Sequence, residues 1–367
     1  MRVCMLSSLH PADDVRIVEK QARCLLAAGH HVTVVARPPA PAEPGGIDFK
    51  LLDLPDVARW KRPWVMGRAA LALARSSRPD VVQFHDPELI FAALALRKGR
   101  RRVIYDVHED VPADIRSKRW IPGPLRPFVA LLAGALERLT ARHFDAIVAA
   151  TPTIAERFQR YGARVVLVRN SVKLSEFMQN TIETPRQRQA AYVGRISFDR
   201  GLVEMVEACR AANLPLVMAG SIGAEEKTWL AHHGEGVEWR GRLDRNAVAR
   251  LLSQSLVGFC VLHAEPNYLR ALPTKIFEYM AAGLPVITSD LPVAKEIVEQ
   301  ARCGLVIAHG DSQALTVALR QLAGNGAEAR AMGSRGLAAA SRLYNWEDDA
   351  ARLVDLYERL SPGAVAE

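Results

Sequence analysis

At 367 residues, with 49% hydrophobic and 24% charged side chains, the chain is too long for one ordinary core and too apolar to stay unfolded, so two globular domains are expected. No apolar run is long enough to span a bilayer, and the first residues lack a signal-peptide pattern. Five scattered cysteines without C-x-x-C spacing read as reduced packing residues, so a cytoplasmic protein without a metal site is expected. The net charge of +8 is uneven: residues 1–170 carry 27 Lys/Arg against 17 Asp/Glu, whereas residues 171–367 carry 21 against 23.

Along the chain, short apolar runs alternate with helical periodicities, the pattern of βαβ units and parallel sheets. In the first half, strands are expected at Arg2–Met5, Val32–Ala36, Val81–Phe84, Val103–Tyr105, Ala146–Ala149 and Val165–Val168. Val15, Val18, Ala22 and Leu25 mark a helix between the first two, ended by Gly29. The loop Ser7–Asp14 has no glycine, which argues against a dinucleotide G-x-G-x-x-G site and favours acceptor contact. Pro38–Gly46 reads as surface loop, and His85-Asp86-Pro87-Glu88 as a structural turn opening a helix.

Two basic clusters follow. Arg97, Lys98, Arg100, Arg101 and Arg102 form the first; Arg116, Lys118, Arg119 and Arg126, beside Trp120, Ile121 and Phe128, form the second. The first reads equally as a solvated loop, while the second, with aromatics and an apolar helix attached, reads as a contact with an anionic membrane surface or a diphosphate-bearing lipid. Nothing resembles an aromatic single-strand platform or a groove-reading module, so nucleic acid is not an expected partner. Between the clusters, His108 lies among acidic residues in Tyr105-Asp106-Val107-His108-Glu109-Asp110, a setting for a general base, a sugar contact or a structural hydrogen bond.

Lys173–Gln189 is polar, contains Pro185 and lacks periodicity, and is taken as the linker after Asn170. The strand pattern then restarts at Ala190–Val193, Leu216–Ala219, Val237–Trp239, Val257–Val261, Val286–Thr288 and Gly304–Ile307, followed by helices at Ser312–Ala323, Ala327–Leu343 and Trp346–Leu360. After the first of these strands, Gly194 permits close backbone approach while Arg195 and Arg200 can clamp a diphosphate. Gly220 either lets a nucleotide pass or simply starts a helix. Glu265, Asn267 and Tyr268 can touch a donor sugar or hold their own loop.

Leu272–Val286, LPTKIFEYMAAGLPV, is a short bounded helix: Pro273 suits its first position, Gly283 the left-handed residue after its last turn, and Pro285 blocks continuation. Its first turn, with Thr274 and Lys275, offers free amides and a cation to a phosphate, and Glu278 on the same face offers a carboxylate to a diol, so a nucleotide fits this order.

This string resembles the C-terminal-domain signature of family 4 glycosyltransferases, in the branch reading P-x-K-x-x-E-Y-M-A-A-G-L-P-V. The loop from Val193 to Gly201 is similar to the same family's V-G-R-x-x-x-x-K-G, with Arg200 in place of the lysine. The resemblance implies a two-domain α/β GT-B fold, Rossmann-like domains facing each other across a cleft, and transfer of a sugar from a nucleoside diphosphate donor with retention. By the match, Glu278 binds the donor ribose, Arg195 and Arg200 neutralise the leaving diphosphate, and His108 faces the transferred sugar. The wider family has a further glutamate where this chain has Arg270, so that role is not carried over.

The expected organisation is an acceptor-binding domain at 1–170, a nucleotide-sugar-binding domain at 171–345, and a C-terminal helix, 346–367, crossing back to the first. Catalytic candidates are His108, Arg195, Arg200 and Glu278; donor-binding candidates are Gly194, Arg195, Arg200, Gly220, Thr274, Lys275 and Glu278. The donor is expected to be UDP- or GDP-linked and used without a metal or bound cofactor. The acceptor is expected to be lipid-diphosphate-linked or another glycan, at the inner face of the membrane, in surface polysaccharide or glycolipid assembly. The rival readings are a sugar-nucleotide epimerase or phosphorylase of the same fold, and a nucleotide-sugar-binding protein without turnover.

Overall fold

The computed structural model describes all residues except 42, 56, 59–60, 98–100, 119, 179–185, 267, 270–271 and 362–367. Lys98, Arg100, Arg119, Asn267 and Arg270, singled out above, and much of the expected linker therefore lie outside the described residues. The chain divides into two compact units, residues 1–170 with 347–367, and residues 171–346.

The first unit is built on seven parallel strands: β1 (Arg2–Pro11), β2 (His31–Arg37), β3 (Asp48–Leu51), β4 (Val81–Phe84), β5 (Arg102–Val107), β6 (Ala146–Ala149) and β7 (Val165–Leu167). Their order is β3-β2-β1-β4-β5-β6-β7, a doubly wound sheet that reverses direction between β1 and β4. All four residues of β4 and of β6 are buried, which is why β6 reads as a continuous apolar run and β4 as one broken only by Gln83. Edge strand β3 was not expected. Its Asp-Phe-Lys-Leu sequence is only half-buried and too polar to register as an apolar run.

β1 also runs past its expected end at Met5, so the residues expected as a loop after it begin as strand. The extension survives because buried Ser7 and Ser8 find a buried carboxylate: the Ser7 hydroxyl and the Ser8 amide each donate to Asp86 Oδ2 at 2.7 Å. The helix after β1 is π-helical over Val15–Ala22 before continuing as α over Arg23–Ala27. Residues five apart share a face in such a turn, which places Arg16 and Gln21 on the same side.

The last helix, Trp346–Leu360, belongs to the first unit from Glu347 onward. It buries Leu353, Leu356 and Tyr357, and the Tyr357 hydroxyl donates to Gln83 of β4 at 2.9 Å.

The second unit has six parallel strands, β8 (Ala190–Val193), β9 (Leu216–Ala219), β10 (Val237–Trp239), β11 (Val257–Cys260), β12 (Val286–Ser289) and β13 (Gly304–Ile307), in the order β10-β9-β8-β11-β12-β13. Within the expected linker, Ser175–Met178 is a short helix.

Candidate functional site

In the second unit, the helix Thr274–Ala281 is fixed from beneath. Ile276, Phe277, Tyr279 and Met280 are buried, and the Tyr279 hydroxyl donates to the Phe259 carbonyl at 3.0 Å while accepting the Val193 amide at 3.3 Å. One side chain thereby ties the helix to both β11 and β8. Pro273 stands at the N-cap rather than the first helical position, one residue earlier than expected, and Gly283 closes the helix at φ 62°.

Lys275 differs from its expected place beside an open helix start. It is buried, its Nζ donates to the Tyr192 hydroxyl at 2.8 Å, and it lies 3.9 Å from the centre of that ring. An ammonium has three N–H donors, so two remain for a ligand. They lie beside Gly194, where a Cβ would stand 3.5 Å from Nζ and cover it. Gly194 has φ 130° and Gly220 φ 143°, and a Cβ on Gly220 would overlap the Gly194 carbonyl oxygen. There is thus no room for a side chain at Gly220, while at Gly194 the positive φ favours glycine and leaves no side chain beside the Lys275 cation.

Arg195, next to Gly194, is exposed, and its guanidinium has no hydrogen bond or ion pair among the described residues. Arg200 is half-buried and oriented: its Nε donates to the Tyr268 hydroxyl at 3.2 Å, and that hydroxyl in turn donates to Asp199. Tyr268, one of the loop residues weighed above, therefore holds a site cation. Thr274 is exposed at the first helical position.

Glu278 is not a lone carboxylate. Its Oε1 accepts from Arg245 at 2.6 Å, and the same guanidinium reaches Glu176 at 2.9 Å. Burial alone would depress the Arg245 guanidinium, but Glu278 and Glu176 outweigh it and raise it above its ordinary value. Arg245 and Tyr192 were missed from the sequence because they reach the site through space, with no motif spacing to reveal them.

In the first unit, His108 lies at the C-terminal end of β5, the edge where parallel α/β sheets place function. Its Nε2 is 3.1 Å from Asp106 Oδ2. Asp106 is fully buried and accepts from Arg16 at 2.7 Å and from Gln21 at 2.7 Å, the two residues aligned by the π-helical turn. Burial would raise this carboxyl, yet the Arg16 guanidinium and the bonds from His108 and His85 hold it well below the usual range.

An ionised carboxylate only accepts, so His108 donates through Nε2–H and keeps Nδ1 as its acceptor atom. Burial also pulls the His108 imidazole below its ordinary value despite Asp106, which favours the neutral form at pH 7. His85, expected mainly as part of a structural turn and only weakly as a second functional histidine, joins this cluster: its Nδ1 is 3.1 Å from His108 Nε2 and 3.2 Å from Asp106 Oδ2.

His85, Asp106 and His108 also form the group, among the described residues, whose ligand atoms lie near enough for a metal, within 4.8 Å of one another. Asp106 is already engaged by Arg16, Gln21 and both imidazoles, so a cation there would have to displace donors. No helix of the described residues is long and apolar enough to cross a membrane.

Two family models match the chain: Glycosyltransferase Family 4 over residues 15–176, and Glycosyl transferases group 1 over residues 175–338. The chain is 26% identical to glycogen synthase of Mycobacterium tuberculosis over 406 residues, spanning 97% of this chain and 94% of that protein. Among solved structures it is similar to sucrose-phosphate synthase of Thermosynechococcus elongatus, with TM-score 0.74, 20% identity, and coverage of 98% of this chain and 99% of the other. It is also similar to HepE of Anabaena in complex with UDP-glucose, with TM-score 0.68, 14% identity, and coverage of 97% and 99%. These structural likenesses establish the GT-B fold.

Proposed function

The chain is a glycosyltransferase of the GT-B type, composed of a Glycosyltransferase Family 4 domain and a Glycosyl transferases group 1 domain, and from that premise we propose that its second unit holds a nucleoside diphosphate sugar. The observation that carries this reading is the buried Lys275 ammonium beside the side-chain-free gap at Gly194, with Arg195 next in sequence. A diphosphate presents several acceptor oxygens to such fixed cations, and a cation already positioned loses little entropy on binding.

In the proposed reaction the bond between the anomeric carbon and the diphosphate oxygen breaks, with its electron pair staying on the phosphate. A new bond forms to an acceptor hydroxyl with the configuration retained, and the hydroxyl proton is released. Lys275, Arg195 and Arg200 stabilise the charge that collects on the departing diphosphate, a contribution worth about 10²–10³ in rate per well-placed donor. This role for the fixed cations needs no metal. The carboxylate oxygen of Glu278 not bonded to Arg245 accepts from the donor ribose, with a UDP or GDP donor the expected pairing; HepE, on the same fold, was crystallised with UDP-glucose. Neutral His108 offers Nδ1 to a substrate hydroxyl.

For the acceptor, the reading is a lipid-linked or other glycan at an anionic membrane surface, in surface polysaccharide or glycolipid assembly. The helix Arg126–Thr140 supports it: Phe128, Leu131, Leu132 and Leu139 stand 58%, 68%, 53% and 62% exposed beside the second basic cluster. The test is incubation of the purified chain with UDP- and GDP-sugars and membrane lipid extracts, followed by product analysis. Acceptor-dependent release of nucleoside diphosphate with a new glycolipid supports the reading. Donor conversion without any acceptor, or no turnover with every donor, contradicts it.

A further inference from the structure

At the start of the first unit's strands, opposite the end that carries His85 and His108, lies a cavity of about 770 Å3. Its lining includes Arg2 at the head of β1, Arg102 at the head of β5, and Arg78, Arg97 and Arg101. The volume lies within the range of small-molecule pockets. Two carboxylates also line it, and both are committed. Asp80 accepts the Arg2 amide at 2.8 Å and faces its guanidinium at 3.6 Å; Asp145 pairs with Arg102 at 3.0 Å and accepts the Val103 amide at 2.8 Å.

Positive charge is therefore in excess in this cavity. Arg78 and Arg97, which make no ion pair among the described residues, stand just past the C-terminal ends of the helices Arg62–Ser76 and Ile90–Leu96, where the helix dipoles hold cations in place. Arg78 also has φ 47°, the left-handed region where glycine ordinarily ends a helix. An arginine there is a poor choice for the backbone and a good one for lining the cavity with a guanidinium.

We propose that this cavity binds a compact anion carrying two or more phosphate groups, at a site separate from the donor-binding residues of the second unit. Guanidinium forks match phosphate oxygens in pairs, and several forks around one concavity select clustered over single phosphates. A free polyphosphate compound and a lipid headgroup carrying two or more phosphates share this chemistry.

Inorganic tripolyphosphate, titrated calorimetrically into the full chain carrying Arg195→Ala and Lys275→Met, tests the proposal with donor-site binding removed. One bound anion per chain is expected, weakened at least about tenfold by either Arg78→Gly or Arg97→Gln, as loss of a charge-assisted bond implies. Arg78→Gly should melt no lower than its background, since glycine suits that backbone. Co-sedimentation with vesicles containing phosphatidylinositol bisphosphate separates the sources: vesicle binding that depends on Arg78 and is displaced by tripolyphosphate assigns a lipid headgroup, and vesicle binding indifferent to Arg78 assigns a free compound. No tripolyphosphate binding in the double-substituted chain, or binding unchanged by both arginine substitutions, overturns the proposal.

Discussion

Asp106 gathers Arg16, Gln21, His85 and His108 on one buried carboxylate, so its removal is felt twice. Asp106→Asn leaves the buried Arg16 without its counter-ion and should cost about 3–5 kcal/mol in urea unfolding, the usual range for a broken buried pair. It also releases the Nε2–H form of His108, so turnover should fall further than destabilisation explains. The folded Asp106 and Asp14 carboxyls both lie below their ordinary values, Asp14 at about 2 against burial because His10 and the Ile17 amide bond to it. Their stabilisation is therefore complete above the unfolded value near 3.8 and is lost as pH falls, through about 2 for Asp14. His10 runs the other way. Burial would lower it, but Asp14 and Asp86 raise it above 6.5, so its share is full below pH 6.5 and fades as pH rises through the folded value. The stability gap between the parent and His10→Gln should accordingly be wider at pH 5.5 than at pH 9, and an equal gap would contradict this pairing.

Elements turn these residues into sites. The helix Thr274–Ala281 is legible in the sequence because Pro273, Gly283 and Pro285 punctuate it, and strands β4, β6 and β12 because full burial makes them mainly apolar, β6 without a break and β4 interrupted only by Gln83. The π-helical turn is not, since Val15, Val18, Ala22 and Leu25 carry ordinary helical spacing and only the pull of Asp106 on Arg16 and Gln21 distinguishes it. Tyr192 and Arg245 are hidden for the same reason: their partners are distant in sequence. Tyr279→Phe, which unpairs the Phe259 carbonyl and the Val193 amide, should cost about 1–3 kcal/mol by chemical denaturation. On the helix Arg126–Thr140, Leu131→Ser with Phe128→Ser should reduce partition to anionic vesicles while leaving the melting temperature unchanged, because both side chains are already exposed. Unchanged partition would remove the membrane reading.

On the scale of the whole molecule, the chain returns to its first unit after completing its second, and the two units need not unfold together. Leu356→Ala creates a cavity in the first unit and should destabilise it by about 2–5 kcal/mol. Hydrogen exchange should then accelerate across residues 1–170 and spare residues 171–346; acceleration confined to the second unit would contradict the division. The α/β class and its two halves are legible from alternation and charge, but β3 is not, because a short, half-buried edge strand carries no uninterrupted apolar run. The central claim is that fixed cations of the second unit hold a diphosphate, and calorimetric titration of UDP and GDP into the parent and Lys275→Met tests it most directly. Binding of one of these nucleotides by the parent, weakened at least about tenfold by the substitution, is the predicted result; equal affinity in the two proteins, or no binding by either, would contradict it.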